Sequence, residues 1–369
     1  MTKYRFDQIA ENIRVPIMPK PEDSERYIGL EHMDTDSLQI RRWGAPTALI
    51  GQKLAMKKGD VLFAKRNAYI RRVAVAPFDG LFSAHGMVLR AKTDVCLHEF
   101  LPVFMSSDYF MERAIKISVG SLSPTINWSS LNREEFEIPS LDEQRRIADL
   151  LWAADDEIDS FRQLFAEACK LEASLKVSIF AGNHHKIKLG SLVDEGRLSF
   201  KTGPFGTVLK ASSYVKKGVP VVNPVNMSDG KFYVDDGPFI SEQEAKRLEI
   251  YKIFENDLIF GRKGDIGRGI FATKESEGYL FGSDCICVRV IGESIMPKYL
   301  FYFLTSPNSK RLLGAQSHGT TMPGINEKML SRMEISIPDD SEQLEIVKKL
   351  EQVTKRNHKF KKEFLKALI

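Results

Sequence analysis

The side chains best suited to chemistry in this 369-residue chain are basic, and they occur twice. Lys65, Arg66, Arg71 and Arg72 follow an apolar run at Val61 to Ala64, and Arg262, Lys263 and Arg268 follow a matching run at Leu258 to Phe260. Lysine and arginine neutralise phosphates, arginine also donates in pairs to guanine edges, and the glycines between Gly261 and Gly269 let backbone approach a ligand closely. A single such cluster is more often a solvated surface turn. Two clusters at equivalent places in related segments shift the reading toward a polyanion contact.

Three further loops carry suitable groups. Ser118 to Ser123 and Ser317 to Thr321 combine glycine with small hydroxyls, and in the second of them Ser317 and Thr320 are candidate phosphate contacts. Gly203-Pro204-Phe205-Gly206, flanked by Lys201 and Lys210, is the third. Each suits a plain turn as well, and in the last a buried Phe205 would anchor it.

Motifs of covalent or metal chemistry are missing from the sequence. There is no phosphate loop of the G-x-x-x-x-G-K-[ST] kind, no H-E-x-x-H and no G-x-S-x-G. Asn223-Pro224-Val225-Asn226 lacks the aromatic residue and second proline of a base-flipping methyltransferase tetrad, so a turn is expected there. Cys96, Cys169, Cys285 and Cys287 form no C-x-x-C pair and no disulfide framework. No catalytic residue, cofactor or metal site is therefore expected. A net charge of +4 permits a polyanion partner without requiring one, and 43% hydrophobic with 28% charged residues is globular composition. The chain begins without an apolar leader core and has no 18-residue apolar run, so a cytoplasmic protein with no membrane contact is expected.

What must position the basic loops is a pair of long helices. From Glu143 to Phe180, apolar or small residues fall at Ile147, Leu151, Ala154, Ile158, Phe161, Phe165 and Ala168, the alternating spacing of a coiled-coil seam, with no Pro or Gly. At 1.5 Å per residue it would span about 57 Å. From Glu342 onward, Ile346, Leu350, Val353, Asn357, Phe360, Phe364 and Ala367 repeat the pattern, each 199 positions after its counterpart. The offset holds upstream for Gly120 and Gly319, Ile126-Asn127 and Ile325-Asn326, Leu131 and Leu330, Ile138-Pro139 and Ile337-Pro338, and Glu143-Gln144 and Glu342-Gln343. One constant offset over so many identities means internal duplication.

Between these landmarks lie two mixed bodies. In the first, Leu49 to Leu54, Val61 to Ala64, Val73 to Ala76 and Met87 to Leu89 read as strands, and Glu99 to Met105 and Tyr109 to Ile117 as helices. In the second, Val219 to Val222, Leu258 to Phe260, Gly269 to Ala272 and Cys285 to Val290 read as strands, and Lys298 to Thr305 as a helix. Gly59-Asp60-Val-Leu-Phe is echoed by Asn256-Asp257-Leu-Ile-Phe. The two long helices can pair antiparallel, with Asn357 opposite the Ile158 layer to set register. Leu150, Trp152, Leu164 and Leu171 would then remain uncovered, a face for a partner subunit.

The duplication, the Ile-Asn, Ile-Pro and Glu-Gln run into each long helix, and the Gly-Pro-Phe-Gly and Leu209-Lys210 loop together resemble the specificity subunits of type I restriction-modification systems. That resemblance implies an α+β fold with two target-recognition domains, residues 1–140 and 184–338, held apart by two antiparallel coiled-coil helices, residues 141–183 and 339–369, about a pseudo-twofold. It also implies double-stranded DNA, methyltransferase subunits and restriction subunits as partners. A recognition module serving another modification enzyme, or a coiled-coil scaffold that binds proteins only, would share much of this pattern.

Overall fold

The computed structural model describes residues 1–45, 47–182, 186–263, 268–293, 295–316 and 324–367. The chain forms two compact units, Met1–Ser160 and Phe161–Ile369. In the first, an antiparallel sheet runs in the order Ala10–Asn12, Met87–Ala91, Val61–Phe63, Val73–Val75. The second unit builds the same sheet from Leu198–Thr202, Cys285–Val290, Leu258–Gly261 and Gly269–Phe271. Each unit also has a two-stranded ladder beside its long helix, Thr2–Arg5 with Glu135–Ile138 and Lys186–Lys188 with Glu334–Ser336.

A further four-stranded sheet differs in detail. Pro16–Ile17, Lys53–Met56, Gly80–Phe82 and Tyr27–Ile28 follow one another in the first unit, and Tyr214–Val215, Phe239–Ile240, Val219–Val222 and Leu280–Phe281 in the second. The parallel strand at the edge comes early in the chain in one unit and late in the other. The segment expected from Leu49 pairs only from Lys53, because Gly51 at φ +72° turns the chain just before it.

Strand alternation gives the central sheet two cores. Val61, Phe63, Val73, Met87 and Leu89 face a cluster with Phe6, Phe110 and Phe136, whereas Leu62, Ala74 and Val88 face Ile28, Met56 and Phe82. In the second unit Leu258, Phe260, Ile286 and Val288 face one core, and Ile259, Cys285 and Cys287 the other. Burial pushes both of those thiols up, so they are packing groups. Helices Phe100–Ser106 and Asp108–Lys116 cover the first core, and Pro297–Leu304 contributes to its counterpart.

The repeated sequence marks turn out to be buried polar joints. Gln144 accepts from the Leu97 amide (2.9 Å) and donates to the carbonyls of Val95 (2.9 Å) and Pro139 (3.0 Å). Gln343 likewise accepts from Met296 (2.8 Å) and donates to Pro338 (3.0 Å). Both are buried, so an apolar replacement leaves amide and carbonyl groups without partners. Gln144→Leu is therefore expected to destabilise the first unit by about 2–4 kcal/mol, read as a lower urea midpoint; an unchanged midpoint would deny the joint its role.

The Gly-Asp and Asn-Asp echoes are joints too. Gly59 and Asn256 take positive φ, of 89° and 70°, and the following aspartate accepts from a backbone amide three residues back, that of Lys57 or Phe254 (2.8 Å each). Asp60 then receives Arg90 through Nε (2.8 Å) and Nη2 (3.0 Å), and Asp257 receives Arg289 through Nε (2.7 Å) and Nη2 (2.6 Å). Both carboxylates are buried. Arg90 and Arg289 sit 199 positions apart, the offset that reveals them in the sequence.

Leu141–Phe180 is one helix of 40 residues, and Asp340–Ala367 one of 28. The seam of the longer helix is shared among partners. Ile147, Ala148 and Trp152 pack on the first unit's own core, and the Trp152 indole donates to the Glu99 carbonyl (2.8 Å). Trp152 is thus a half-buried intramolecular anchor, not an uncovered docking residue, because it follows Gln144 and Ala148 on the face turned to the body. From Phe161 onward the helix meets the second one: Phe161 lies against Phe360 and Phe364, and Phe165 stacks on Phe360 at 6.1 Å.

Further along, Glu172 accepts from Asn357 (2.7 Å), Thr354 (3.0 Å) and Lys176 (2.8 Å). Burial opposes its ionisation, yet these donors outweigh burial and hold the carboxyl below its ordinary range. Partners rise in number along one helix as they fall along the other. Asn357 accordingly meets Ala168 and Glu172, not the Ile158 layer: positions equated by duplication are not positions in contact when helices run in opposite directions. No described helix is long and apolar enough to cross a membrane.

Candidate nucleic-acid interface

Each basic cluster begins where the third strand of the central sheet ends, and in each unit backbone pairing stitches it to the segment before the Ile-Asn mark. The Ile126 amide donates to the Lys65 carbonyl (3.0 Å) and that of Asn67 to Pro124 (2.7 Å), while Arg66 Nη2 reaches Ser123 Oγ at 3.4 Å. In the second unit the Ile325 amide donates to the Arg262 carbonyl (2.7 Å), and Lys263 bridges Gly324. Loops that are separate in sequence are thus one surface in the first unit. In the second, 264–267 and 317–323, including Ser317 and Thr320, lie outside the described residues.

The individual side chains divide. Arg66 is exposed, and Lys65 is half-buried with its pKa lowered first by burial and then by the neighbouring charge of Arg14. Arg14, exposed on the segment after the first strand, is a cation the sequence reading missed. Arg71, in left-handed conformation at φ +61°, pairs with Asp108. Arg72 turns inward: its Nη1 donates to the Leu30 carbonyl (3.0 Å) and its Nε is buried without a partner, so it leaves the candidate surface. Strand alternation explains the difference, since the chain re-enters the sheet at Val73.

Arg262 is held by the carbonyls of Ile325 (3.3 Å) and Ser283 (3.2 Å), with its guanidinium 4.7 Å from the Phe205 ring. Phe205 is exposed rather than a buried anchor; Gly203, packed on the Gly282 carbonyl where no Cβ would fit, fixes the loop instead. Lys263 is exposed and pairs with Asp284 (3.2 Å). Lys201 lies 5.6 Å from the Tyr251 ring, Lys210 is exposed, and Arg268 Nη1 donates to the Pro224 carbonyl (3.3 Å). Leu150, Leu164 and Leu171 are exposed on the longer helix. Among the described residues no cluster of three histidine, cysteine or acidic groups could hold a metal.

Each unit is thus a two-lobed body whose central sheet ends in a basic turn, the same plan built twice. The sequence profile described as "Type I restriction modification DNA specificity domain" matches residues 50–167 and 205–368. The chain belongs to that family, whose type I specificity subunits are DNA-binding, non-catalytic recognition subunits. It is 23% identical over 320 residues to the EcoKI specificity subunit of Escherichia coli, covering 81% of this chain and 67% of that one. It is 26% identical over 186 residues to the EcoDI specificity subunit of the same organism, covering 48% and 41%. Among solved structures, the type I S subunit from M. genitalium superposes with a TM-score of 0.58 at 15% identity over 99% of this chain and 92% of that one. A chain from a study of type I complex assembly gives 0.60 at 19% over 100% and 93%.

Proposed function

We propose that this chain is the specificity subunit of a type I restriction-modification complex acting in the cytoplasm, and that it reads a bipartite, asymmetric DNA target with a fixed unread spacer. Residues 1–140 and 184–338 serve as two recognition domains about an approximate twofold, and the helices in 141–183 and 339–369 as an antiparallel coiled-coil spacer. The observation that carries the reading is the matched pair of basic strand ends, Lys65-Arg66 and Arg262-Lys263, each stitched to the segment before an Ile-Asn mark. Lys201, Lys210 and Arg268, with Ser317 and Thr320, extend the second contact. Base-edge contacts in two major grooves supply specificity, each good bidentate pair contributing about 1–3 kcal/mol of discrimination.

Leu150, Leu164 and Leu171 recur at heptad multiples on one stripe and dock a methyltransferase subunit, through which restriction subunits join. Methylation mapping of a genome expressing the chain with its methyltransferase tests the reading. A two-part motif with a constant gap is the expected result; a continuous motif, or none, would sink it.

A further inference from the structure

The first unit's outer lobe, with its core around Ile28, Met56 and Phe82, meets the long helix through a polar network. Arg41 Nε donates to Asp159, its Nη1 lies 3.3 Å from Asp34, and its Nη2 donates to Ser37 Oγ (3.0 Å). Ser37 Oγ in turn donates to Asp155 (3.3 Å), and Gln39 Nε2 to Asp156 (2.9 Å). Asp155 and Asp159 are one helical turn apart and share a face. The same segment is tied to the central sheet, since the Val75 amide donates to the Leu38 carbonyl (2.9 Å). Beside this network Thr35 to Leu38 and the helix residues Leu151, Ala154 and Ile158 border a cleft of about 380 Å³, so side-chain packing does not seal the junction there.

The second unit has an analogous brace of opposite polarity. Lys361, on the second long helix, pairs with Asp229 in the turn between Met227–Ser228 and Lys231–Phe232 (2.5 Å). There the helix supplies the cation, whereas in the first unit it supplies the carboxylates. The two braces also differ in depth. The Arg41 and Asp159 side chains are 27% and 12% exposed, those of Lys361 and Asp229 40% and 46%. A well-exposed pair contributes little to holding two elements together, and a half-buried one with several charge-assisted hydrogen bonds contributes more.

We propose that Arg41 is a positioning residue: seated on Asp159, Asp34 and Ser37, it sets the angle at which the first outer lobe is carried on its helix, and thereby the half-site separation that the chain accepts. This rests on the two-reader function proposed above. The second brace is the compliant one, so the firm reference for separation lies in the first unit.

The test uses the full chain with its methyltransferase and a duplex series carrying the mapped half-sites at the native separation and one base pair either side. Arg41→Ala, which removes the contacts to Asp159, Asp34 and Ser37, and Asp159→Ala, which removes the first of them, are each expected to lower the preference for the native separation by about tenfold or more. Half-site sequences should be retained, and the double variant should be no worse than either single one. Gln39→Ala, a milder change in the same network, should shift the preference in the same direction, and Lys361→Ala should leave it nearly unchanged. An unaltered preference in Arg41→Ala and Gln39→Ala overturns the proposal. Equal loss of methylation at all separations in both variants also overturns it, since the network would then serve folding alone. If the unaltered chain directs no two-part methylation, it is the two-reader function that fails instead.

Discussion

Asp257→Ala is expected to lower the stability of the second unit by about 3 kcal/mol, the low end of the cost of stripping one partner from a buried ion pair. The low end applies because the Arg289 side chain keeps 32% of its surface in water, while the Asp257 carboxylate is 1% exposed. The substitution removes two charge-assisted bonds from Arg289 and leaves the Phe254 amide without its acceptor. Asp60→Ala should act alike in the first unit, where Arg90 is 33% exposed and Asp60 3%. Domains of ordinary stability hold about 5–15 kcal/mol, so either loss is a large fraction. Adding Arg289→Met to Asp257→Ala should recover much of it, because no unpaired cation is then left facing the core. Urea unfolding of the three variants decides the matter: a double variant as unstable as Asp257→Ala would mean that the turn and not the pair sustains the unit.

A second large effect is expected on DNA. If the second unit reads a half-site as proposed, Lys263→Ala combined with Arg262→Lys, which keeps a cation at 262 while losing its planar fork, should weaken binding to that half-site. Replacing both by alanine should in addition reduce the slope of log affinity against log salt by about 2, one counterion for each lost phosphate contact. Lys65→Ala with Arg66→Ala should do the same for the half-site proposed for the first unit. Asp284→Asn is the informative opposite: it frees Lys263 from its 3.2 Å pair and should tighten binding. Binding that responds to none of these would remove the basic strand ends from the interface.

How much of this could be read in the sequence follows from the range of the interactions involved. Apolar runs long enough to show a period, such as Val61–Phe63, Cys285–Val290 and the 40-residue helix, were legible because period and burial coincide. Two-residue strands such as Tyr27–Ile28 and Leu280–Phe281 were not, since they exist only by virtue of the strand beside them. The Glu-Gln mark was visible as a repeat, yet its purpose was hidden because the amide's partners lie 47 and 49 residues earlier in the chain. For the candidate surface, charge was legible and orientation was not: Arg66 and Arg72 look alike in sequence, and only the return of the chain into the sheet turns one outward and the other in. The exposed Phe205 beneath Arg262 was likewise out of reach, because nothing local distinguishes a ring that anchors a turn from one that meets solvent.

The central sheet's double burial has a consequence for how such a molecule can change. Along Val61, Leu62 and Phe63, and along Met87, Val88 and Leu89, successive residues answer to different cores. A larger side chain at Leu62 or Val88 presses on the outer lobe, and one at Val61 or Leu89 on the lobe that grips the helix. Parity along a strand therefore partitions mutations into two compartments with few shared positions. The outer compartment can vary, as the exchanged edge strands of the two units illustrate, while the apolar packing of Ile147, Ala148 and Trp152 on the other is left alone. Substitutions facing the outer core can therefore accumulate without disturbing the apolar contacts that the inner core makes with the helix.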